Sequence, residues 1–200
     1  VKKLIAEYIM SPEYQSSAVT LAAVADLAAT CFPGPIVEIG AGCGETTAEL
    51  LKVAKKHDRM VYVIDPYSLG CDNMPPSYGG GGGYTKEKLM ANVDAVDGHD
   101  HFTLIEKSSQ DIDPNDIWNL GDLCFAFVDG LQFQAAVVND LFLVSKAPVI
   151  AVDDYKRLTD LSQVAPAIDH FLVSVADHYD LLVDSDTVRS RAFLLNRDLC

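Results

Sequence analysis

The chain has 200 residues, enough for one domain with a substantial core. Its apolar and charged fractions, 49% and 22%, are those of an ordinary globular protein, and no apolar run approaches the roughly 20 residues of a membrane span. A formal charge of −14 argues against a nucleic-acid partner, because phosphate binding calls for a basic stripe; the densest basic cluster, Lys52, Lys55, Lys56 and Arg59, lies on one predicted helix.

Strands and helices alternate along the chain, which predicts a parallel sheet covered on both faces. Ser11, Pro12 and Glu13 read as a helix start: a capping hydroxyl, a proline at the first helical position, then an acid. Ala18, Leu21, Val24, Leu27 and Ala28 then recur at helical spacing until Pro33-Gly34-Pro35 stops the helix. Strands are expected at 35–39, 60–64, 101–105, 123–128 and 148–152, and helices at 45–56, 85–96, 133–144 and 161–176. The end reads as two strands, 179–183 and 191–195, joined by the turn chemistry of Asp184-Ser185-Asp186-Thr187.

The predicted architecture is therefore α/β: a Rossmann-like doubly wound sheet of five parallel strands plus a C-terminal antiparallel hairpin, with helices on both faces. One domain is expected over 1–200, with N-terminal helices in 1–34. A loop over 66–84 contains five consecutive glycines, 79–83, which cannot form a stable helix or strand; a lid over the site is one reading and a passive insertion the other. Cys31, Cys43, Cys71, Cys124 and Cys200 are scattered without C-x-x-C or zinc spacing. Reduced thiols, with an N-terminus already acidic at Glu7, lead to the expectation of a cytoplasmic protein without a secretory leader.

The first strand ends in Glu38-Ile39-Gly40-Ala41-Gly42-Cys43-Gly44 and a helix follows. Glycines permit a sharp turn and a close approach of ligand to backbone, while free N–H groups at the helix start favour an anionic group. Asp65 closes the second strand, where an acid can accept hydrogen bonds from ribose hydroxyls. A dinucleotide fingerprint would need glycine at position 45, which is Glu45 here. Two acidic clusters close later strands: Asp129 the fourth, and Asp153 with Asp154 the fifth. Parallel strands bring these ends to one edge, where three carboxylates repel one another unless a cation or donors intervene. Oxygen-only ligands suit Mg²⁺.

The glycine turn and Asp65 resemble motifs I and II of class I S-adenosylmethionine-dependent methyltransferases. Asp129 and Asp153-Asp154-Tyr155 resemble the cation-dependent O-methyltransferases of the catechol/caffeoyl-CoA and macrolide-sugar types. The resemblance implies cofactor contacts from Glu38 near the methionine end, from Gly40, Ala41, Gly42, Gly44, Asp65 and Asp129, from Pro66 and Tyr67 beside the adenine, and from Ser108, Ser109 and Gln110 at its edge. It implies a divalent ion on Asp129, Asp153 and Asp154, activating a substrate hydroxyl. The chain departs from that pattern at the usual base positions, which are Gln132 and Leu131, and at Lys146-Ala147-Pro148 before the fifth strand. Gln132 cannot take a proton. Asp129, Gln132 and Asp154 are the candidate catalytic residues, with His99, His101 and Tyr155 as further candidates for a base.

The expected activity is O-methylation of a small hydroxylated molecule with S-adenosylmethionine, assisted by Mg²⁺. Expected partners are the substrate and at most a second copy of the chain, with no nucleic acid and no membrane. Two other readings stay open: a non-catalytic binding module on the same fold, and a nicotinamide-dependent oxidoreductase.

Overall fold

A computed structural model describes residues 2–11, 14, 17–67, 84–157, 163–175, 178–184 and 189–198. The elements run α1 (Lys2–Ile9), α2 (Ala18–Cys31), β1 (Ile36–Ile39), α3 (Glu45–His57), β2 (Val61–Ile64), α4 (Lys86–Ala95), β3 (Phe102–Ile105), α5 (Pro114–Trp118), β4 (Phe125–Val128), α6 (Gln134–Leu143), β5 (Val149–Arg157), α7 (Val164–Ser174), β6 (Tyr179–Val183) and β7 (Arg189–Asn196). They form one seven-stranded sheet in the order β3-β2-β1-β4-β5-β7-β6. The first five strands pair in parallel; β7 inserts antiparallel beside β5, and β6 closes that edge. The expected architecture is present. The glycine run 79–83 and most of the C-terminal turn lie outside the described residues.

Side-chain alternation along each strand makes two cores. Ile36, Val61, Val63, Phe125, Phe127, Ala151 and Phe193 pack toward α1 to α4. Val37, Ile39, Ile64, Ala126, Val128, Val152 and Leu194 pack toward α6 and α7. Both faces are covered, as a largely parallel sheet requires. Among the described residues no helix is long and apolar enough to cross a membrane.

The helix start expected at Ser11 is corrected. The Ser11 N–H instead donates to the Tyr8 carbonyl in the turn that ends α1, and Pro12 and Glu13 lie outside the described residues. Helix α2 begins after Ser17, whose hydroxyl accepts from the Thr20 N–H at 3.3 Å while the Thr20 hydroxyl accepts from the Ser17 N–H at 3.0 Å. This reciprocal cap satisfies two orphan donors. One short helix was not anticipated: α5, which carries the usual start signal of an Asp113 cap before Pro114. The basic cluster on α3 is tied into local pairs: Lys52 with Glu49, Lys56 and His57 with Asp26, and Lys55 with the Val96 and Asp97 carbonyls.

Ser17→Ala is expected to destabilise the protein by about 1 kcal/mol, the usual worth of a serine cap. Urea denaturation checks this: the midpoint should fall with the slope unchanged.

Candidate functional site

Strand register brings the site together. Ile64, Ile39, Val128 and Val152 occupy one row across β2, β1, β4 and β5. The next residue on each strand is Asp65, Gly40, Asp129 or Asp153. A cleft of about 610 Å³ opens there, in the range of small-molecule sites. Its walls include the glycine turn, Asp65 to Tyr67, Ser108 to Gln110, the segment after β4, and Arg191.

The turn is built on close backbone approach. Gly40 has φ +84°, and a Cβ there would lie 2.3 Å from the Asp129 carbonyl oxygen. Only glycine fits without displacing the β4 backbone. Asp65 holds the turn from the adjacent strand: its Oδ2 accepts from the Ala41 N–H at 3.0 Å, and its Oδ1 accepts from the Tyr67 N–H at 3.1 Å. The Tyr67 hydroxyl donates to the Gly42 carbonyl at 2.9 Å. Asp65 thus organises the turn as well as facing the cleft.

Glu38 lies behind the turn, fully buried on the α3 face, where its Oε2 accepts from the Thr47 hydroxyl at 2.6 Å. Its Oε1 has no hydrogen-bond partner among the described residues. Burial pushes its carboxyl up to about 8, with the Asp65 charge adding to the shift and the Thr47 bond opposing it. Ser109 is buried and Gln110 exposed; the Gln110 amide donates to the Ser109 hydroxyl at 2.8 Å, and Asn139 Nδ2 donates to the Ser109 carbonyl at 3.1 Å. Neighbouring Asp140 is a buried acid that sequence reasoning missed, raised to about 6 by burial.

The acidic end is organised differently from the expectation. Asp129 is exposed in the cleft; the surrounding protein, then the charges of Asp153 and Asp154, push its carboxyl upward. Asp153 is buried and accepts from Arg191 Nε at 3.0 Å. Asp154 is buried with φ +55° and accepts a short hydrogen bond from the Gln132 amide. Gln132 is therefore a donor that holds an acid. A divalent ion would need oxygens from Asp129, Asp153 and Asp154 together. Asp153 is instead committed to a guanidinium, and among the described residues no three His, Cys, Asp or Glu side chains are grouped to hold an ion. The donor set does not fit the ion.

His99 and His101 are corrected as candidate bases. They precede β3, at the opposite end of the sheet from the cleft, where His99 pairs with Asp94 at 2.5 Å and His101 Nδ1 contacts the Arg59 carbonyl oxygen at 2.7 Å. Tyr155 packs against the α6–α7 core. Sequence reasoning missed Arg191, Tyr84, Ser17 and Phe133, all on the cleft wall. Arg191 carried a signal: a charge in the apolar run Ala192-Phe193-Leu194-Leu195 needs a buried partner.

The strand order and the glycine turn make a Rossmann-like fold, and solved methyltransferase structures share it. CalS11, a calicheamicin methyltransferase, is 15% identical with a TM-score of 0.62, over 98% of this chain and 91% of its own. An O-methyltransferase from Bacillus cereus in complex with SAH is 13% identical with a TM-score of 0.63, over 98% and 88%. An rRNA methylase from Streptococcus thermophilus, 13% identical with a TM-score of 0.57 over 92% and 98%, has the same fold, so the fold does not select a substrate. No protein-family model matches the sequence, and no curated protein matches it.

Glu38 predicts a pH dependence. The folded state holds its proton from about 4.5, where the unfolded chain releases it, to about 8. Stability contributed by this group is therefore complete at low pH and falls as pH rises through that window. Glu38→Gln removes the dependence. Its stability relative to wild type should rise between pH 4.5 and 8 by on the order of a few kcal/mol and level off above. Parallel denaturation curves of the two proteins, at pH values spanning the window, measure this.

Proposed function

We propose that the chain is an S-adenosylmethionine-dependent O-methyltransferase acting on a small hydroxylated molecule. The observation that carries this reading is the junction of Gly40, whose Cβ position is closed by the Asp129 carbonyl, with Asp65 on the neighbouring strand, at the mouth of a cleft sized for a cofactor and a small acceptor. The surrounding charge agrees. Glu45, Asp65, Asp129, Asp153 and Asp154 line the cleft against Arg191, an excess that suits a cofactor bearing a sulfonium and an ammonium.

When bound, S-adenosylmethionine supplies an electrophilic methyl group. The turn from Gly40 to Gly44 and the start of α3 receive its carboxylate. Asp65 accepts from the ribose hydroxyls with the lone pairs left by its backbone bonds. Pro66 and Tyr67 would line the adenine, with Ser109 and Gln110 at its edge, since all four line the cleft. Asp129, exposed in the cleft, would take the proton of the acceptor hydroxyl as its oxygen bonds to the methyl carbon and the methyl–sulfur bond breaks, leaving the neutral thioether S-adenosylhomocysteine. Gln132 fixes Asp154 beside it. The enzyme's main contribution is alignment of acceptor and methyl group.

Calorimetry with S-adenosylhomocysteine and with NADH separates the readings: the first is expected to bind and the second not. Asp65→Ala should weaken S-adenosylhomocysteine binding by roughly 10- to 100-fold, the worth of hydrogen bonds to a charged acceptor. Methyl transfer from radiolabelled cofactor to a panel of hydroxylated compounds then tests turnover. Binding without transfer across the panel would favour the non-catalytic module, for which the absence of a base at Gln132 speaks. NADH binding alone would sink the proposal.

A further inference from the structure

The acidic end of the cleft carries a built-in cation. Strand β5 pairs with β7 at Val152–Ala192 and again at Lys156–Ser190, so Asp153, Asp154 and Tyr155 bulge opposite the single residue Arg191. Bulges re-aim side chains beside functional sites. Here the bulge sets Arg191 directly against Asp153.

Arg191 is only 6% exposed, yet it forms part of the cleft wall. Four contacts hold it: Nε on Asp153 at 3.0 Å, Nη1 on the Ser17 carbonyl at 2.9 Å, the guanidinium 5.7 Å from the centre of the Phe127 ring, and Tyr14 alongside. Burial opposes its charge, but Asp153 and Tyr14 together outweigh this and keep the guanidinium protonated. A side chain pinned on this many sides cannot swing out to admit an ion. Its charge repels any second cation brought to Asp129 or Asp154, and it already neutralises Asp153.

We infer that Arg191 stands in the place of a divalent ion: its guanidinium, seated on Asp153, is the positive charge against which the acceptor oxygen is held, and the protein binds no divalent ion there. The clause about the acceptor rests on the methyltransferase reading; the clause about the ion does not. The chemistry fits. An arginine has five N–H donors in a planar fork and no proton to lose, so it can hold an oxygen that is shedding its proton, as a preorganised donor does for developing negative charge.

The test is Mn²⁺ binding to the full chain by electron paramagnetic resonance, with folding checked by circular dichroism and S-adenosylhomocysteine affinity measured alongside. Wild type should show no saturable Mn²⁺ site. Arg191→Met should gain one, because Asp153 is released to join Asp129 and Asp154, and adding Asp153→Ala should remove it. Arg191→Lys, which keeps the charge, should exclude Mn²⁺ as wild type does and covers the case in which Arg191→Met does not fold. A saturable site in wild type that Asp153→Ala abolishes would overturn the inference. So would a folded Arg191→Met that gains no site, or an Arg191→Lys that acquires one. Failure of wild type to bind S-adenosylhomocysteine would overturn the methyltransferase reading and leave the Mn²⁺ result standing.

Discussion

The parallel pairing of five adjacent strands stops at one row, Ile105, Ile64, Ile39, Val128 and Val152, and the residues that follow are Glu106, Asp65, Gly40, Asp129 and Asp153. Neighbouring strands lie about 4.8 Å apart, so four carboxyls at this edge would repel one another strongly if left alone. The rest of the site is the answer to that constraint. Glu106 pairs with Lys86 at the surface. Asp65 spends its charge on backbone N–H groups of the glycine turn and of Tyr67. Gly40 places no side chain between Asp65 and Asp129. Asp153 is matched by Arg191. Asp129 is exposed in the cleft, and the surrounding protein, with the charges of Asp153 and Asp154, displaces its carboxyl upward.

The Asp153–Arg191 pair also joins distant parts of the chain. Through the Ser17 carbonyl, β7 grips the residue that caps α2, so the wall over the cleft and the acidic floor are fixed by one guanidinium. Both charges are largely desolvated, a costly arrangement that holds because each has its partner at good geometry. Removing either partner would leave the other buried and uncompensated. That rigidity is what a cleft needs if its task is to align two reactants.

Much was legible from local pattern. Short apolar runs located β1 to β5, and the glycine turn with its following helix came out within a residue or two, because short buried strands and glycine-rich turns are set by nearest neighbours. The start of α2 was not: Ser11-Pro12 has the right chemistry, but the reciprocal Ser17–Thr20 cap is a better solution only six residues on. The burial of Glu38 was not read from the sequence. Alternation along β1 puts it on the face of Ile36, toward Thr47 in α3, and not on the cleft surface. The three-aspartate ligand set followed from strand ends alone, without knowledge of what the last strand would bring to them.

The sequence by itself determined the layered α/β fold, the glycine turn, and the acids that follow the parallel-paired part of the second, fourth and fifth strands. These depend on residue periodicity and turn chemistry, which act over a few positions. Only the tertiary structure decided which charge those acids would meet. Arg191 stands 38 residues from Asp153, and nothing local links them; the antiparallel entry of β7 beside β5, with a bulge at Asp153 to Tyr155, sets them 3.0 Å apart. Long-range strand pairing is where sequence pattern is weakest, and here it converts an apparent ion site into an ion pair.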